Sequence, residues 1–202
     1  NGDRLLKLIN DLLDFSRIDA DRMTLNRQPC GLSDLLSDCI SSFKTGADSQ
    51  GVSVSFADSS GGLTAFLDQD LMENAIVNLL SNAVKFNKPG GWVEASLFRA
   101  GDECRIVVKD SGIGIPEDKI DAIFERFGQV DSSTTRKYQG TGIGLAFVKE
   151  IVQLHNGHIR VDSILDLGSE FTITLPIGLP ESVDRITDTR TEPISETVDR
   201  DM

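Results

Sequence analysis

Three asparagines and a lysine recur at helical spacing, and their side chains suit a site for a metal ion and phosphate. In chain order they are Asn74, Asn78, Asn82 and Lys85. On an α-helix they fall within an arc of about 80°. Asparagine is a mediocre helix former and solvated helix faces usually carry Glu, Lys and Gln, so a plain surface stripe is the weaker interpretation. Amide oxygens suit a hard cation such as Mg²⁺ that bridges phosphates, and Lys85 would add a positive charge.

A carboxylate followed by two glycines stands at the end of a predicted strand. Asp110 closes the run Arg105-Ile-Val-Val-Lys-Asp, and Ser-Gly112-Ile-Gly114-Ile-Pro follows. A carboxylate at this place can accept the exocyclic N–H of adenine. Gly112 lets the backbone approach a base closely, and Gly114 permits a bend that a side chain would strain. The alternative is an ordinary strand-end turn, which the same residues would also form.

A second glycine-rich stretch precedes a predicted helix. It reads Gly140-Thr-Gly142-Ile-Gly144-Leu-Ala. It lacks the Gly-x-Gly-x-x-Gly spacing of dinucleotide-binding loops and the Gly-Lys-Ser/Thr ending of P-loops. A glycine loop that enters a helix N-terminus nevertheless presents backbone N–H groups to phosphate.

The segment just before this stretch is polar and has no periodicity. Residues 128–140 therefore predict a mobile loop. Phe124 and Phe127 are predicted to be hydrophobic anchors at its base. Arg136 and Lys137 could swing onto the γ-phosphate of a nucleotide, and solvated loop charges are the alternative for these two.

The elements that would position these residues alternate between strands and helices. The predicted strands cover residues 23–28, 52–56, 63–67, 92–99, 104–109, 158–163 and 169–175. The predicted helices cover residues 3–20, 34–45, 68–86 and 142–154. Ser33 and Asp68 are predicted to cap the second and third of these helices, and Pro116 is predicted to open a further short helix.

The two ends of the chain differ from its middle. Residues 3–20 are apolar on two flanks, which favours a helix in a bundle or coiled coil over an amphipathic helix packed on its own domain. Residues 178–202 lack aromatics and are rich in Glu, Asp, Thr and Ser, which predicts a flexible acidic tail or linker. The predicted parts are therefore 1–22, 23–177 and 178–202.

Composition narrows the classes of function and partner. A net charge of −12 would repel nucleic acid, so no nucleic-acid partner is expected. No charged-then-apolar segment opens the sequence, so no signal peptide is expected, and no apolar run approaches the roughly 20 residues that span a bilayer. We therefore expect a cytoplasmic fragment without membrane contact, and leave open whether the full-length protein is anchored. The cysteines lack metal spacing, which favours a reducing compartment and burial of Cys30, Cys39 and Cys104.

Four segments, taken in order, resemble the N, G1, F and G2 boxes of sensor histidine kinases in the GHKL ATPase superfamily. They are Asn78-Leu-Leu-Ser-Asn82-Ala-Val-Lys85-Phe86, Asp110-Ser-Gly112-Ile-Gly114-Ile-Pro, Phe124-Glu-Arg-Phe127 and Gly140-Thr-Gly142-Ile-Gly144-Leu-Ala. Residues 31–176 resemble the catalytic ATP-binding domain, and residues 3–20 resemble the second helix of the dimerisation and phosphotransfer domain. The late segments 155–163 and 168–171 also match, with Asn156 and Glu170 where family members often have Gly and Thr.

The resemblance implies an α/β two-layer sandwich, in which a mixed five-stranded sheet packs under three helices and one long helix precedes them. It implies that Asp110 holds adenine, that Asn82 binds Mg²⁺ with help from Asn78, and that Lys85 contacts phosphate. The three catalytic residues would be Asn82, Lys85 and Asn78. The implied ATP site comprises Asn78, Asn82, Lys85, Asp110, Gly112, Gly114, Ile115, Phe127, Arg136, Lys137, Gly140, Thr141, Gly142, Ile143, Gly144 and Leu145.

The resemblance also implies a reaction that this chain does not complete alone. In the family, the γ-phosphoryl group passes to a histidine on the first helix of the phosphotransfer domain. That acceptor motif is absent here. The only histidines are His155, at a predicted helix end, and His158, at a predicted strand start. Both are predicted to be structural, so this histidine kinase fragment should bind ATP and Mg²⁺ without autophosphorylation.

The implied partners are the phosphotransfer helix of the same or a sister protomer and the receiver domain of a response regulator, with a homodimer in the full-length protein. The alternative is a nucleotide-sensing or partner-docking module of the same fold that transfers no phosphate. GHKL chaperones, topoisomerases and mismatch-repair ATPases are disfavoured by the acidic charge and the Leu-rich first helix, and they usually carry Glu where Asn78 stands. A serine kinase of the anti-sigma type would not need the helix 3–20.

Overall fold

The computed structural model describes residues 25–126, 128 and 142–178. The predicted helix 3–20, nearly all of the predicted loop 128–140 and almost the whole tail 178–202 lie outside these residues. In chain order the elements are β1 Gln28–Gly31, α1 Leu32–Ser49, β2 Ser53–Asp58, β3 Thr64–Leu67, α2 Gln69–Lys85, β4 Trp92–Ala100, β5 Glu103–Asp110, α3 Gly144–Leu154, β6 His158–Ile164 and β7 Gly168–Pro176. Two short 3₁₀ helices, Glu117–Lys119 and Ala122–Phe124, lie between β5 and α3.

The main sheet is mixed and five-stranded, in the order β2-β4-β5-β7-β6. Its β2–β4 pair is parallel and the other pairs are antiparallel. Along β5, buried Ile106 and Val108 alternate with exposed Arg105 and Lys109, so one face meets the core and the other meets solvent. Within the described residues three α-helices share that core with the sheet. The predicted two-layer sandwich of a mixed five-stranded sheet and three helices is confirmed. β1 and β3 form a separate antiparallel pair.

Two predictions near the start of the domain are wrong, namely the strand over residues 23–28 and the Ser33 cap of the first described helix. The predicted strand 23–28 is strand only from Gln28 among its described residues. Asn26 and Arg27 instead bond to Asp68 and to the carbonyl of Leu154, which carries the chain across the ends of two helices.

Ser33 does not cap α1, which begins at Leu32 after Gly31 and extends beyond the predicted residue 45. The Ser33 hydroxyl donates to the Asp58 carboxylate at the end of β2 instead. Asp68 does cap α2 as predicted, because its carboxylate accepts the N–H of Leu71 at 3.2 Å. α3 begins at Gly144 and not at Gly142, whose φ of 71° is not helical.

The cysteines are part of the hydrophobic core. Cys30, Cys39 and Cys104 are all buried and unpaired, as predicted. Burial raises the pKa of both Cys39 and Cys104 to about 11, so these thiols are poor nucleophiles at neutral pH. They fill space as small apolar side chains.

The imidazole of His155 joins the end of α3 to the start of α2. Nε2 accepts the N–H of Asp68 at 2.9 Å, and Nδ1 lies 2.8 Å from the Ile151 carbonyl, to which it must donate. The ring is therefore neutral with its proton on Nδ1. His158 is exposed at the start of β6. Both positions agree with the predicted helix end and strand start.

Acid should weaken the fold through His155. Burial lowers the pKa of this imidazole below 6.5, so the unfolded chain binds the proton more readily than the folded domain. The contribution of neutral His155 to the free energy of unfolding is fully present above pH 6.5. It is lost as the pH falls from 6.5 towards the folded-state pKa, with a slope of at most about 1.4 kcal/mol per pH unit. Urea unfolding between pH 5.5 and 7.5 measures it. His158→Gln should keep the slope and His155→Gln should flatten it; the reverse pattern would contradict the assignment.

Candidate nucleotide site

The polar stripe of α2 faces away from the core. The buried residues of this helix are Leu71, Met72, Ala75, Ile76, Leu79, Leu80, Ala83 and Val84. Asn74 is exposed, while Asn78, Asn82 and Lys85 are half-buried. Because the apolar residues occupy the remaining sides, the half-buried polar side chains form one wall of α2, the polar stripe that the helical spacing predicted.

The N-terminus of α3 lies beside this wall. The Asn78 amide donates to the Asn74 carbonyl at 2.9 Å through Nδ2, which leaves Oδ1 directed elsewhere. A Cβ atom added to Gly144 would lie 3.1 Å from that Oδ1. No side chain caps the first turn of α3. The amide oxygen of Asn78 and the amide-rich first turn of a helix therefore share one small region, where phosphate could be bound.

Asp110 supplies a buried carboxylate at the end of β5. Its side chain is 7% exposed, and Oδ1 accepts the N–H of Gly112 at 2.8 Å. Burial raises the pKa of this carboxyl above its ordinary value, and the backbone amides of Gly112 and Ser169 hold it lower than burial alone would. A carboxylate has about four lone-pair sites, so beyond the bonds from these two amides it keeps acceptor capacity for a ligand.

The loop after Asp110 passes too close to its neighbours for side chains at two positions. A Cβ atom on Gly112 would overlap the Phe86 carbonyl at the end of α2 and come within 2.7 Å of Asp110 Oδ1. Gly114 has φ of 66°, and a Cβ atom there would overlap the Ile164 carbonyl. The N–H of Ile113 donates to the Phe86 carbonyl at 3.1 Å. These contacts tie the loop to α2 on one side and to β6 on the other.

The described residues place Gly144 beside Asn78 and the Asp110 loop against the end of α2. Lys85 has its ammonium 4.6 Å from the Phe86 ring centroid. Ile143 is buried and Leu145 half-buried at the start of α3, where they pack into the core. Phe124 packs edge-on against Phe171, with ring centroids 6.4 Å apart, which agrees with its predicted anchoring role. The predicted site residues outside the described part of the chain are Phe127, Arg136, Lys137, Gly140 and Thr141.

A polar brace beside the loop was not predicted. Asn87 is buried; its Nδ2 donates to the Trp92 carbonyl at 2.9 Å, and its Oδ1 accepts from Ser111 at 3.2 Å. Lys88 donates to the Asp166 carbonyl at 2.8 Å, in the turn between β6 and β7. In the sequence, Asn87 and Lys88 indicate only the end of a helix, because Ser111 and Asp166 are 24 and 78 residues away from them.

The donor set suits one class of metal ion. No group of three or more His, Cys, Asp or Glu side chains that could hold a metal ion occurs within residues 25–126, 128 and 142–178. Amide oxygens of Asn78 and Asn82 fit Mg²⁺, which keeps several waters and takes further oxygens from phosphates. They do not fit ions that require imidazole or thiolate ligands.

Comparison with known proteins decides which family has this arrangement. The model of the histidine kinase-, DNA gyrase B- and HSP90-like ATPases matches residues 67–179, more than half of the chain. The chain belongs to this ATPase family. The match includes α2, the Asp110 loop and α3, and so covers every described part of the site.

Within this ATPase family the similarity is to sensor histidine kinases. The circadian input-output histidine kinase CikA of Synechococcus elongatus is 39% identical over 178 residues, which cover 87% of this chain and 24% of CikA. The crystal structure of full-length ShkA in complex with AMPPNP superposes with a TM-score of 0.79 and 31% identity, covering 89% of this chain and 37% of ShkA. The structure of histidine kinase ThkA in complex with response regulator TrrA gives a TM-score of 0.71 at 20% identity. It covers 88% of this chain and 49% of the matched chain, and it supports the fold alone.

The predicted family is therefore confirmed: the chain has the ATPase domain of the histidine kinase-, DNA gyrase B- and HSP90-like family and is similar to the catalytic part of sensor histidine kinases. The chain spans about a quarter of the length of CikA. Among the helices of the described residues, none combines the length and apolar character that crossing a membrane requires.

Proposed function

We propose that this chain binds Mg·ATP in the cleft between α2, the Asp110 loop and α3, and transfers the γ-phosphoryl group to a histidine outside the chain. The observation that carries the proposal is the position of Asp110, a buried carboxylate at the end of β5 that keeps lone pairs for a ligand. Beside it lies a backbone that only glycine permits. A flat heterocycle with an exocyclic amine suits such a place.

The proposed residue roles follow from donor chemistry. Asp110 accepts the adenine amine through Oδ2, while Gly112 and Gly114 let the backbone lie against the base. Asn82, with Asn78, holds Mg²⁺ through amide oxygens, and Lys85 adds positive charge beside the phosphates. The first turn of α3, from Gly144, offers backbone N–H groups to phosphate oxygens.

Transfer of a phosphoryl group needs positioning and charge stabilisation more than covalent participation by the protein. Mg²⁺, when bound, would neutralise charge on the β- and γ-phosphates. The half-buried wall of α2 and the first turn of α3 would fix the phosphate chain between them. In the described part of the chain the histidines are unsuited to accept the group, since both ring nitrogens of His155 are engaged and His158 lies at the start of β6.

The remaining roles are also proposals. Phe127, Arg136, Lys137, Gly140, Thr141 and Gly142 would close the site over the phosphates, as in the family that the chain resembles. The acceptor would be the phosphotransfer helix of the same or a sister protomer in a homodimer, and a receiver domain would then take the phosphate. ThkA, a structural relative, has been solved with its response regulator TrrA. The site would work in the cytoplasm, where ATP is available.

Phosphate transfer in trans tests the proposal. The chain is mixed with Mg²⁺, γ-labelled ATP and a separate helical hairpin that carries the acceptor histidine. The hairpin should gain acid-labile phosphohistidine and the chain itself should gain none. Asn82→Ala should slow transfer at least about a hundredfold, because a charge-stabilising ligand is lost.

Asn74→Ala is the matched control, since this exposed asparagine belongs to the same stripe and its backbone carbonyl still accepts from Asn78. It should leave transfer unchanged. Stable phosphohistidine on the chain itself would contradict the proposal. Binding of Mg·ATP without transfer to any supplied hairpin would indicate a nucleotide-sensing module instead.

A further inference from the structure

A row of polar side chains crosses the main sheet at the nucleotide site. Asp110 on β5 pairs with Ser169 on β7, and Ser169 pairs with Ser163 on β6. Two positions away on the three strands are the core residues Val108 and Phe171, and Val161, which is half-buried and packs against the core. Since alternate residues of a strand share a face, the three polar side chains lie on the side of the sheet that the helices cover. The row therefore marks the end of the apolar core, beside the candidate nucleotide site.

The Ser163 hydroxyl has three hydrogen-bond partners in this row and its surroundings. Its oxygen lies 2.8 Å from the N–H of Ile115, 2.9 Å from the Gly168 carbonyl and 3.1 Å from Ser169 Oγ. A serine hydroxyl has one hydrogen and two lone pairs. The Gly168 carbonyl can only accept, so it takes the hydrogen, and the Ile115 amide can only donate, so it takes one lone pair. The second lone pair is left for Ser169.

These assignments determine the direction of the bond between the two serines. Ser163 has no second hydrogen to give, so Ser169 must donate to Ser163. The Ser169 hydroxyl then has only lone pairs to present to its other neighbours. Ser169 is 7% exposed and stands beside the Asp110 carboxylate in the ladder. Beside the Asp110 carboxylate, the Ser169 hydroxyl is thus a second acceptor and offers no donor.

We propose that Ser163 is a positioning residue that fixes Ser169 as an acceptor and so helps the site to prefer adenine over guanine. The inference rests on the proposed function, in which a nucleotide base enters beside Asp110. Adenine has an amine at its six-position, which donates directly to an acceptor in contact with it. Guanine has a carbonyl oxygen there, which would face lone pairs with no donor between them. A site built for a donor rejects the analogue that lacks it.

The same hydroxyl also holds the loop that carries the glycines. Its bond to the Ile115 amide fixes the backbone just after Gly114, whose close contact with the Ile164 carbonyl leaves no room for a side chain. Asp166 adds a second tie, since its N–H donates to the Ile113 carbonyl at 2.7 Å. Without the Ser163 hydroxyl, Ser169 would be able to donate its hydrogen elsewhere, and the loop after Asp110 would lose the hydrogen bond at Ile115.

Two substitutions with side chains of equal shape separate the loss of the Ser163 hydroxyl from the effect of a larger side chain. Ser163→Thr and Ser163→Val add the same branched side chain, which suits a strand, and differ only in the hydroxyl. Calorimetric titration with AMPPNP and GMPPNP in Mg²⁺ gives the affinity for each base, and thermal unfolding confirms that each variant is folded. Ser163→Thr should keep the wild-type preference for adenine. Ser163→Val should lower the ratio of the AMPPNP affinity to the GMPPNP affinity about tenfold, which is the usual effect of losing one hydrogen bond in a binding site.

The ratio of the two affinities is the deciding quantity. A purely structural role for Ser163 would weaken both analogues together and leave the ratio unchanged, which would overturn the inference. If Ser163→Val does not fold, Ser163→Ala removes the hydroxyl without added bulk and carries the same expectation. Wild-type protein that binds neither analogue overturns the proposed function and this inference with it. A wild-type preference that survives Ser163→Val overturns this inference alone.

Discussion

Asp110→Asn should lower the affinity for an ATP analogue at least about a hundredfold, while the domain remains as stable as the wild type or gains up to about 1 kcal/mol. Oδ1 of Asp110 is engaged by the Gly112 N–H, so the new amide keeps its oxygen there and turns its NH₂ group towards the base. The new NH₂ group and the exocyclic amine of adenine, which are both donors, then face each other. Calorimetric titration measures the affinity, and urea unfolding measures the stability.

Asp110→Asn should weaken nucleotide binding without lowering stability, so unfolding of the variant would not explain the lost affinity. Burial raises the pKa of Asp110, so the folded state binds its proton more tightly than the unfolded chain. The buried charge therefore lowers stability as the pH rises through the folded-state pKa, and at neutral pH the asparagine escapes this cost. Asp102→Asn is the control, because it removes the same charge from an exposed turn. Equal affinities for the two variants would contradict the role of Asp110.

Gly114→Ala should destabilise the domain by at least about 3 kcal/mol and abolish nucleotide binding. Its φ of 66° is strained for any residue with a Cβ atom, at about 1 kcal/mol or slightly more. The added methyl would also overlap the Ile164 carbonyl, which belongs to backbone held in the β6–β7 ladder. Because that carbonyl cannot turn away without breaking the ladder, the loop must move. Urea unfolding and calorimetry measure the two losses.

Gly101→Ala separates conformational strain from close approach. Gly101 has almost the same φ, 67°, and a Cβ atom there would have nothing within 4 Å. This control should cost about 1 kcal/mol and leave nucleotide binding intact. If the two alanine variants were equally stable, the tight contact between the Asp110 loop and β6 would not exist in solution.

The elements with strong local signals could be predicted to within about two residues. α2 has a capping aspartate, a long apolar periodicity and a glycine-proline stop, and the β4–β5 hairpin has alternation around a short turn. These signals lie within a few residues of the feature they specify. The failed predictions involve distant partners instead. Ser33 bonds to Asp58, 25 residues away, and Arg27 bonds to Leu154, 127 residues away. No local pattern reports such contacts.

The candidate site divides in the same way. Asp110, Gly112 and Gly114 could be predicted because a strand end, a carboxylate and glycines are adjacent in sequence, and the order of the four boxes supported them. Ser163 and Ser169 could not be assigned a role from sequence, since their relation to Asp110 depends on the register of three strands. The predicted metal and phosphate roles of Asn82 and Lys85 remain predictions.

The most direct test of the proposed site is calorimetric titration of the wild-type chain with AMPPNP, with and without Mg²⁺, and with GMPPNP for comparison. The proposed chemistry predicts that AMPPNP binds, that Mg²⁺ strengthens the binding because amide oxygens and phosphates share the ion, and that GMPPNP binds more weakly. Folded protein that binds neither analogue, or binds both equally with no effect of Mg²⁺, would contradict an adenine site at Asp110 and a metal site at Asn82.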